Sequence, residues 1–173
     1  NVGGTITTLT NNGLISGFFY GIHNTEGTIT ILTNNSLISG SGSGVWNNGG
    51  GTIETLINNS LISDSDSGIC NAGGRIETLT NNGLTISGYS SGIWNDGGRI
   101  ETLTNNGLII SGSSSGIWNV GGTITTLTNN GLISGSYFGI YNAGGTITTL
   151  TNTGVIYGTT NAIKNDGGTI GTV

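Results

Sequence analysis

Acidic side chains that could act as a catalytic pair recur at one position of the sequence. Glu54, Glu77 and Glu101 follow one another at intervals of 23 and 24 residues, and Arg75 and Arg99 stand two residues before the last two. Strands stacked about 4.8 Å apart would bring such carboxylates near the roughly 5 to 5.5 Å separation of a retaining glycosidase. A polysaccharide-degrading enzyme is therefore one hypothesis. The interleaved arginines instead favour a ladder of ion pairs, and we predict that the chain has no catalytic residues.

Other reactive side chains stand alone. The segment SDSDSG, which contains Asp64 and Asp66, alternates like a calcium loop but lacks the glycine and glutamate that complete an EF-hand. His23 is the single histidine and Cys70 the single cysteine, so neither can pair with a second residue of its kind. We predict neither a metal site nor a cofactor.

Aromatic residues are the first candidates for binding. One repeated position holds His23, Trp46, Cys70, Trp94, Trp118, Tyr141 and Lys164, each directly after an aliphatic residue. Because successive residues of a strand point to opposite faces, this column should point outward if the aliphatic residue points inward. An exposed aromatic edge could stack on sugars or contact a protein partner. The alternative is that the rings pack beneath the adjacent loop.

The units differ most in a triplet beside this column, which reads FFY, SGS, SDS, YSS, SSS, SYF and TTN. Variation carried on a rigid scaffold is typical of ligand selection. The triplets add six aromatic residues to the predicted ligand surface. Its members are Trp46, Trp94, Trp118, Tyr141, Phe18, Phe19, Tyr20, Tyr89, Tyr137 and Phe138.

Threonine pairs are the second candidate for binding. The motif TLT places two threonines about 7 Å apart on the same side of a strand. An uncharged array of this spacing resembles the face of β-solenoid ice-binding proteins, although threonine is also simply favoured on half-exposed strands. Ile31 and Ile57 interrupt the array. Its complete pairs are Thr8 and Thr10, Thr78 and Thr80, Thr102 and Thr104, Thr126 and Thr128, and Thr149 and Thr151.

All of these positions are set by one internal repeat. Units begin at Asn1, Asn24, Asn47, Asn71, Asn95, Asn119, Asn142 and Asn165, so that seven full units and part of an eighth form a single domain over residues 1–173. Within each unit, aliphatic residues alternate with Thr, Ser, Asn and Gly, which indicates short half-buried strands rather than helices.

A strict period means that the neighbours of each residue are its own equivalents. We therefore predict an all-β fold, a parallel β-helix (β-solenoid) with about 23 to 24 residues per coil. The usual crossover rule makes it right-handed. We also predict asparagine ladders at two bends per coil.

Composition excludes some partners. The net charge is −5, and the three cations Arg75, Arg99 and Lys164 form no basic patch, so we predict that the chain does not bind nucleic acid. No apolar run approaches the roughly 20 residues of a transmembrane helix. The repeat reaches both ends of the sequence without a capping element, so we expect either a fragment of a longer protein or self-stacking into a fibre through the uncapped strand edges.

The units of the form NxGGTITTLTNNGLISG…GI resemble the repeats in the passenger regions of bacterial autotransporter adhesins and filamentous-haemagglutinin-like proteins. This resemblance implies a secreted or cell-surface β-helix. We accordingly expect a structural or adhesive rod, extracellular or at the cell surface. It would present its aromatic edge and triplets to a glycan, a cell surface or a protein partner.

Overall fold

The computed structural model describes residues 1–87, 89–111 and 113–173. Across this part of the chain there are 22 β-strands and no helix. The strands form three parallel sheets, and each full coil contributes one strand to every sheet. The predicted parallel β-solenoid is confirmed.

The strand bounds follow the repeat. The first sheet contains β1 (Thr5–Asn11), β4 (Thr28–Asn34), β7 (Thr52–Asn58), β10 (Arg75–Asn81), β13 (Arg99–Asn105), β16 (Thr123–Asn129), β19 (Thr146–Asn152) and β22 (Thr169–Thr172). The second contains β2 (Leu14–Ser16), β5 (Leu37–Gly40), β8 (Leu61–Asp64), β11 (Leu84–Ser87), β14 (Leu108–Ser111), β17 (Leu132–Gly135) and β20 (Val155–Gly158). The third contains β3 (Tyr20–Thr25), β6 (Ser43–Asn48), β9 (Ser67–Ala72), β12 (Ser91–Asp96), β15 (Ser115–Val120), β18 (Phe138–Ala143) and β21 (Asn161–Asp166).

Strand pairing places equivalent residues side by side. Ile76 pairs with Ile53 and Ile100, and Trp94 pairs with Trp118. The additional residues of the fourth and fifth coils do not disturb this register, because β11 and β14 pair residue by residue over their whole length. These residues therefore lengthen the turns that connect the second sheet to the third.

Strict alternation of inward and outward residues is wrong for the first sheet. Ile100 and Leu103 are both fully buried, while Glu101 and Thr102 between them are both partly exposed. The pairing of β13 with β16 skips Glu101, so the strand bends there and turns two successive side chains outward. The bend divides the outer surface of this sheet into two strips of different chemistry.

The core is one continuous column of aliphatic side chains inside the three sheets. In the fifth coil it consists of Ile100, Leu103, Ile109 and Ile117, each with no exposed surface. Burial of such a side chain is worth about 1.5 to 3 kcal/mol. Thr85 stands where the neighbouring coils have Ile62 and Ile109, and its hydroxyl donates to Asn81 Oδ1 at 3.1 Å.

Two buried asparagine ladders run along the bends, as predicted. In each, the amide Nδ2 of one coil donates to Oδ1 of the next, and Nδ2 also donates to backbone carbonyls. Asn105 donates to Asn129 Oδ1 at 2.8 Å and to the carbonyl of Leu132 at 3.0 Å. The first ladder contains Asn11, Asn34, Asn58, Asn81, Asn105, Asn129 and Asn152. The second contains Asn1, Asn24, Asn47, Asn71, Asn95, Asn119, Asn142 and Asn165.

A third ladder is exposed and was not predicted. It is formed by the second asparagine of each NN pair, and its hydrogen bonds point the other way along the rod. Asn106 Nδ2 donates back to Asn82 Oδ1 at 2.9 Å, whereas the buried Asn81 donates forward to Asn105 at 2.9 Å. The first Asn of each NN pair thus forms a buried Asn–Asn hydrogen bond, and the second Asn forms an exposed one.

Asn105 of the first buried ladder and Asn106 of the exposed ladder allow a direct comparison of a buried and an exposed contact. Replacement of Asn105 by Ala should lower the free energy of unfolding by about 2 to 4 kcal/mol, because it leaves buried amide groups of Asn81 and Asn129 without their partner. Replacement of the exposed Asn106 by Ala should change it by less than about 0.5 kcal/mol. Urea unfolding measures both. Equal losses would mean that burial does not determine the strength of the ladder.

Candidate ligand-binding groove

The aromatic column lies on the outside of the third sheet. Ile93 and Asn95, on either side of Trp94, are fully buried, so the indole must point outward. The rings of Trp94 and Trp118 stack with centroids 5.7 Å apart and planes 14° apart, and Trp118 stacks on Tyr141 at 5.9 Å and 13°. These separations are those of offset-stacked rings, so successive rings overlap along the rod.

The tryptophans lie against the sheet instead of projecting freely from it. The indole Nε1 atoms of Trp46, Trp94 and Trp118 are buried without a hydrogen-bond partner. The hydroxyl of Ser91, three residues before Trp94 on the same strand, is buried and unpartnered as well. The predicted outward direction is therefore correct, and the rings are also half-buried. Their exposed parts are fixed in place by packing.

The aromatic surface is not one continuous strip. Cys70 interrupts it, and the predicted residues divide into groups along the rod. Phe18 packs against Phe19, and Tyr20 against Trp46 at 4.8 Å, in the first two coils. Farther along, Phe138 packs against Tyr141 at 5.0 Å. The ten predicted residues therefore form separate clusters along the rod, because the third coil has no aromatic ring in this region.

The turns between the second and third sheets, together with Trp94 and Trp118, enclose a groove of about 550 Å³. This volume is within the usual range for small-molecule sites. The exposed side chains of Tyr89 and Tyr137 stand at its sides. Its lining residues are Asp66, Tyr89, Ser90, Trp94, Ser113, Ser114, Trp118 and Tyr137.

Turn length explains why the groove is at this place. The fourth and fifth coils have one residue more than the third between their second and third sheets, and these longer turns supply Tyr89, Ser90, Ser113 and Ser114 to the lining. The variable triplets YSS and SSS include these serines, and the added residue in each of the two units accounts for the longer turns.

The acidic residues of the SDSDSG segment lie beside the groove. Asp64 is 7% exposed, its Oδ2 has no hydrogen-bond partner, and its Oδ1 accepts the amide of Asp66 at 2.9 Å. Burial raises the pKa of Asp64 to about 6 and also raises the pKa of Asp66. Among the described residues, no group of three or more His, Cys, Asp or Glu side chains could hold a metal ion.

Cys70 is enclosed in the wall of the rod. Its side chain is 1% exposed, and burial raises the pKa of the thiol to about 12. Since the thiolate is the nucleophilic form, the protonated thiol is unreactive at neutral pH. Cys70 fills space in the position that tryptophan occupies in neighbouring coils.

Two of the three repeated glutamates, Glu77 and Glu101, form ion pairs. Arg75 Nη2 lies 3.2 Å from Glu101 Oε1, and Arg75 Nε lies 3.4 Å from Glu77 Oε1. Arg99 Nη2 donates to Glu101 Oε2 at 2.7 Å. The hydrogen bonds from Arg99 hold the pKa of Glu101 below its ordinary value. A carboxylate kept ionised in this way is poorly suited to act as a general acid.

The TLT threonines lie on the other side of the bend in the first sheet. Thr102 pairs with Thr78 and Thr126, and Thr104 pairs with Thr80 and Thr128. Thr33 and Thr55 continue one column each in the two coils where Ile31 and Ile57 replace the other threonine of the pair. Every residue of these two columns is uncharged. The charges of this sheet lie in the columns of Arg75 and Glu77.

Comparison of the chain with protein-family models, curated proteins and solved structures returns no match. The likeness to autotransporter and haemagglutinin-like regions is therefore supported only at the level of a parallel β-solenoid. Among the described residues, no helix has the length and apolar character needed to cross a bilayer.

Asp64 makes stability depend on pH in a direction opposite to that of most carboxylates. Because its pKa is about 6 in the folded protein against 3.8 ordinarily, the folded chain holds the proton more tightly than the unfolded chain. The resulting stability is fully present below pH 3.8 and is lost as the pH rises through about 6. Asp64→Ser should raise the free energy of unfolding by about 1 to 3 kcal/mol at about pH 7.5 and change it little at about pH 4.

Serine is the appropriate replacement, since Ser111 occupies the equivalent position two coils along and its Oγ accepts the amide of Ser114 at 3.1 Å. Urea unfolding of both proteins at a series of pH values provides the test. If the difference between them did not vary with pH, Asp64 would not be the group responsible.

Proposed function

We propose that this protein is a non-catalytic adhesive rod of the bacterial cell surface or extracellular space, and that it binds a glycan in the groove described above. The observation that carries the proposal is the combination of four aromatic rings with serine hydroxyls in one groove of about 550 Å³ on a rigid scaffold.

The chemistry of the lining is complementary to sugars. A pyranose ring has apolar C–H faces and a rim of hydroxyl groups. Aromatic rings bind such faces, and serine hydroxyls both donate and accept hydrogen bonds to the rim. Trp94 and Trp118 stack on each other in the lining, and the side chains of Tyr89 and Tyr137 are exposed by 74% and 57% and so are accessible to a ligand.

The scaffold is suited to adhesion because its binding surface is ordered before a ligand arrives. In-register pairing and the asparagine ladders hold successive coils in one geometry. A preorganised surface avoids much of the ordering cost of binding. The repeat style, which resembles surface-exposed passenger regions, supports an extracellular location.

A glycan array with purified protein tests this proposal. For a glycan that binds, Tyr89→Ala combined with Tyr137→Ala should weaken affinity at least about tenfold, since each aromatic contact is worth about 0.5 to 1.5 kcal/mol. Phe18→Ala combined with Phe19→Ala is the matched control. These residues are exposed by 83% and 63% and lie outside the groove. Equal weakening by both double variants, or no bound glycan, would contradict the proposal.

Ice binding is a second candidate function, favoured by the uncharged threonine columns on the first sheet. They are in register over neighbouring coils and are separated by the bend from the ion pairs of the arginine and glutamate columns. A regular, rigid and uncharged face of this kind could order water in a lattice. Here the ligand would be a surface rather than a molecule in a groove.

A pair of arginine substitutions distinguishes this function from glycan binding. If the protein produces a freezing-point gap, Thr126→Arg should remove most of it, because Thr126 lies between Thr102 and Thr149 in the uncharged face. Thr123→Arg should preserve it, since the column of Thr123 already contains Arg75 and Arg99. Ice growth without faceting or a freezing gap in the unmodified protein would exclude ice binding.

A further inference from the structure

We infer that the groove selects uncharged glycans and rejects glycans that carry carboxylate or sulfate groups. This inference rests on the proposed glycan-binding function and specifies the class of ligand. Three properties of the groove disfavour an anion: the side chains of its lining, the backbone amides beside it and the net charge around it.

The side chains of the lining offer an anion no partner of opposite charge. They comprise aromatic residues, serines and Asp66, and no Lys, Arg or His is among them. Recognition of a carboxylate or sulfate usually relies on the paired donors of arginine or on the point charge of lysine. Here the single ionisable acid of the lining would repel such a group. The serine hydroxyls suit the neutral hydroxyls of a sugar equally well as donors or acceptors.

The cations of the chain are engaged elsewhere. Arg75 and Arg99 lie in the first sheet and form ion pairs with Glu77 and Glu101. The remaining cation, Lys164, lies in β21, with Nζ 3.8 Å from Asp166 and 5.8 Å from the centre of the Phe138 ring. Lys164 Nζ also lies 5.9 Å from the centre of the Tyr141 ring, which stacks on Trp118, but none of the three cations is among the described residues that line the groove.

Backbone amides are the other common means of binding an anion, and four of those beside the groove are already used. The amide of Asp66 donates to Asp64 Oδ1 at 2.9 Å, and the amide of Ser90 donates to the carbonyl of Asp66 at 2.9 Å. The amide of Ser114 donates to Ser111 Oγ at 3.1 Å, and that of Tyr137 to the carbonyl of Ser114 at 3.0 Å. An anion would have to break these turns to obtain an N–H donor from them.

The charge near the groove is negative. The carboxylate of Asp64 is close to Asp66, because it accepts the amide hydrogen of that residue. The whole chain carries a net charge of −5. A negative field in a partly enclosed site disfavours the approach and the binding of like-charged ligands. The aromatic rings can still bind the C–H face of any pyranose, so the discrimination depends on the substituents of the sugar and not on the ring.

Matched ligands test the inference. A neutral oligosaccharide that binds the unmodified protein is compared with its 6-O-sulfated or C6-carboxylated counterpart by calorimetry. We expect the charged ligand to bind at least about tenfold more weakly at low salt. Raising the ionic strength from about 20 to about 500 mM should strengthen its binding and leave that of the neutral ligand unchanged, because the repulsion is screened.

Two variants with equal net charge assign the effect to the groove. Asp66→Asn should reduce the preference for the neutral ligand to less than about threefold, whereas Glu26→Gln, which removes one negative charge outside the groove, should preserve it. If Asp66→Asn fails to fold, the salt dependence of the unmodified protein still decides the matter.

The two hypotheses fail in different ways. Equal affinity for the neutral and charged ligands, or weaker binding of the charged ligand at higher salt, would overturn the selectivity and leave glycan binding intact. Absence of binding by both ligand classes would overturn the proposed function, and this inference with it.

Discussion

The hydrogen bond between asparagine side chains of successive coils is the contact on which the rest of the structure depends. Each buried Asn donates to its equivalent in the next coil and to a backbone carbonyl near the same bend, as Asn105 does toward Asn129 and Leu132. A shift of one residue in any coil would break these bonds and turn buried side chains outward. The ladders therefore hold every coil in one register, and the columns of isoleucine, threonine and tryptophan are consequences of that register.

The groove arises where this regularity is relaxed. Strand pairing continues through the fourth and fifth coils, and the added residues enlarge only the turns that carry Tyr89, Ser90, Ser113 and Ser114. A turn can lengthen at little cost because its residues make few of the contacts that stack the coils. In the groove the strands supply the stacked indoles of Trp94 and Trp118, and the turns supply residues that differ from coil to coil.

Charge is distributed so that the faces of the rod have different properties. Arginine and glutamate pair along one strip of the first sheet, the neighbouring threonine strip is uncharged, and the groove on the third sheet contains Asp66. The bend at the third residue of each strand in the first sheet separates the first two strips. Because solvent-exposed charges interact strongly only over short distances, each face can meet a different kind of partner.

The fold could be predicted from the sequence because the same residue pattern occurs in seven full units. The period, the aliphatic columns and the asparagine positions were sufficient to predict a parallel β-solenoid, and Trp94, which follows the inward Ile93, was correctly placed outside. Three features required the structure. The bend between Ile100 and Leu103 depends on closing a coil around its core, the half-buried indoles depend on packing between coils, and the groove depends on turns from four coils. The sequence by itself determined the register, since neighbouring coils are copies of one another. Only the tertiary structure decided which outward residues share a groove, because turn geometry is not repeated.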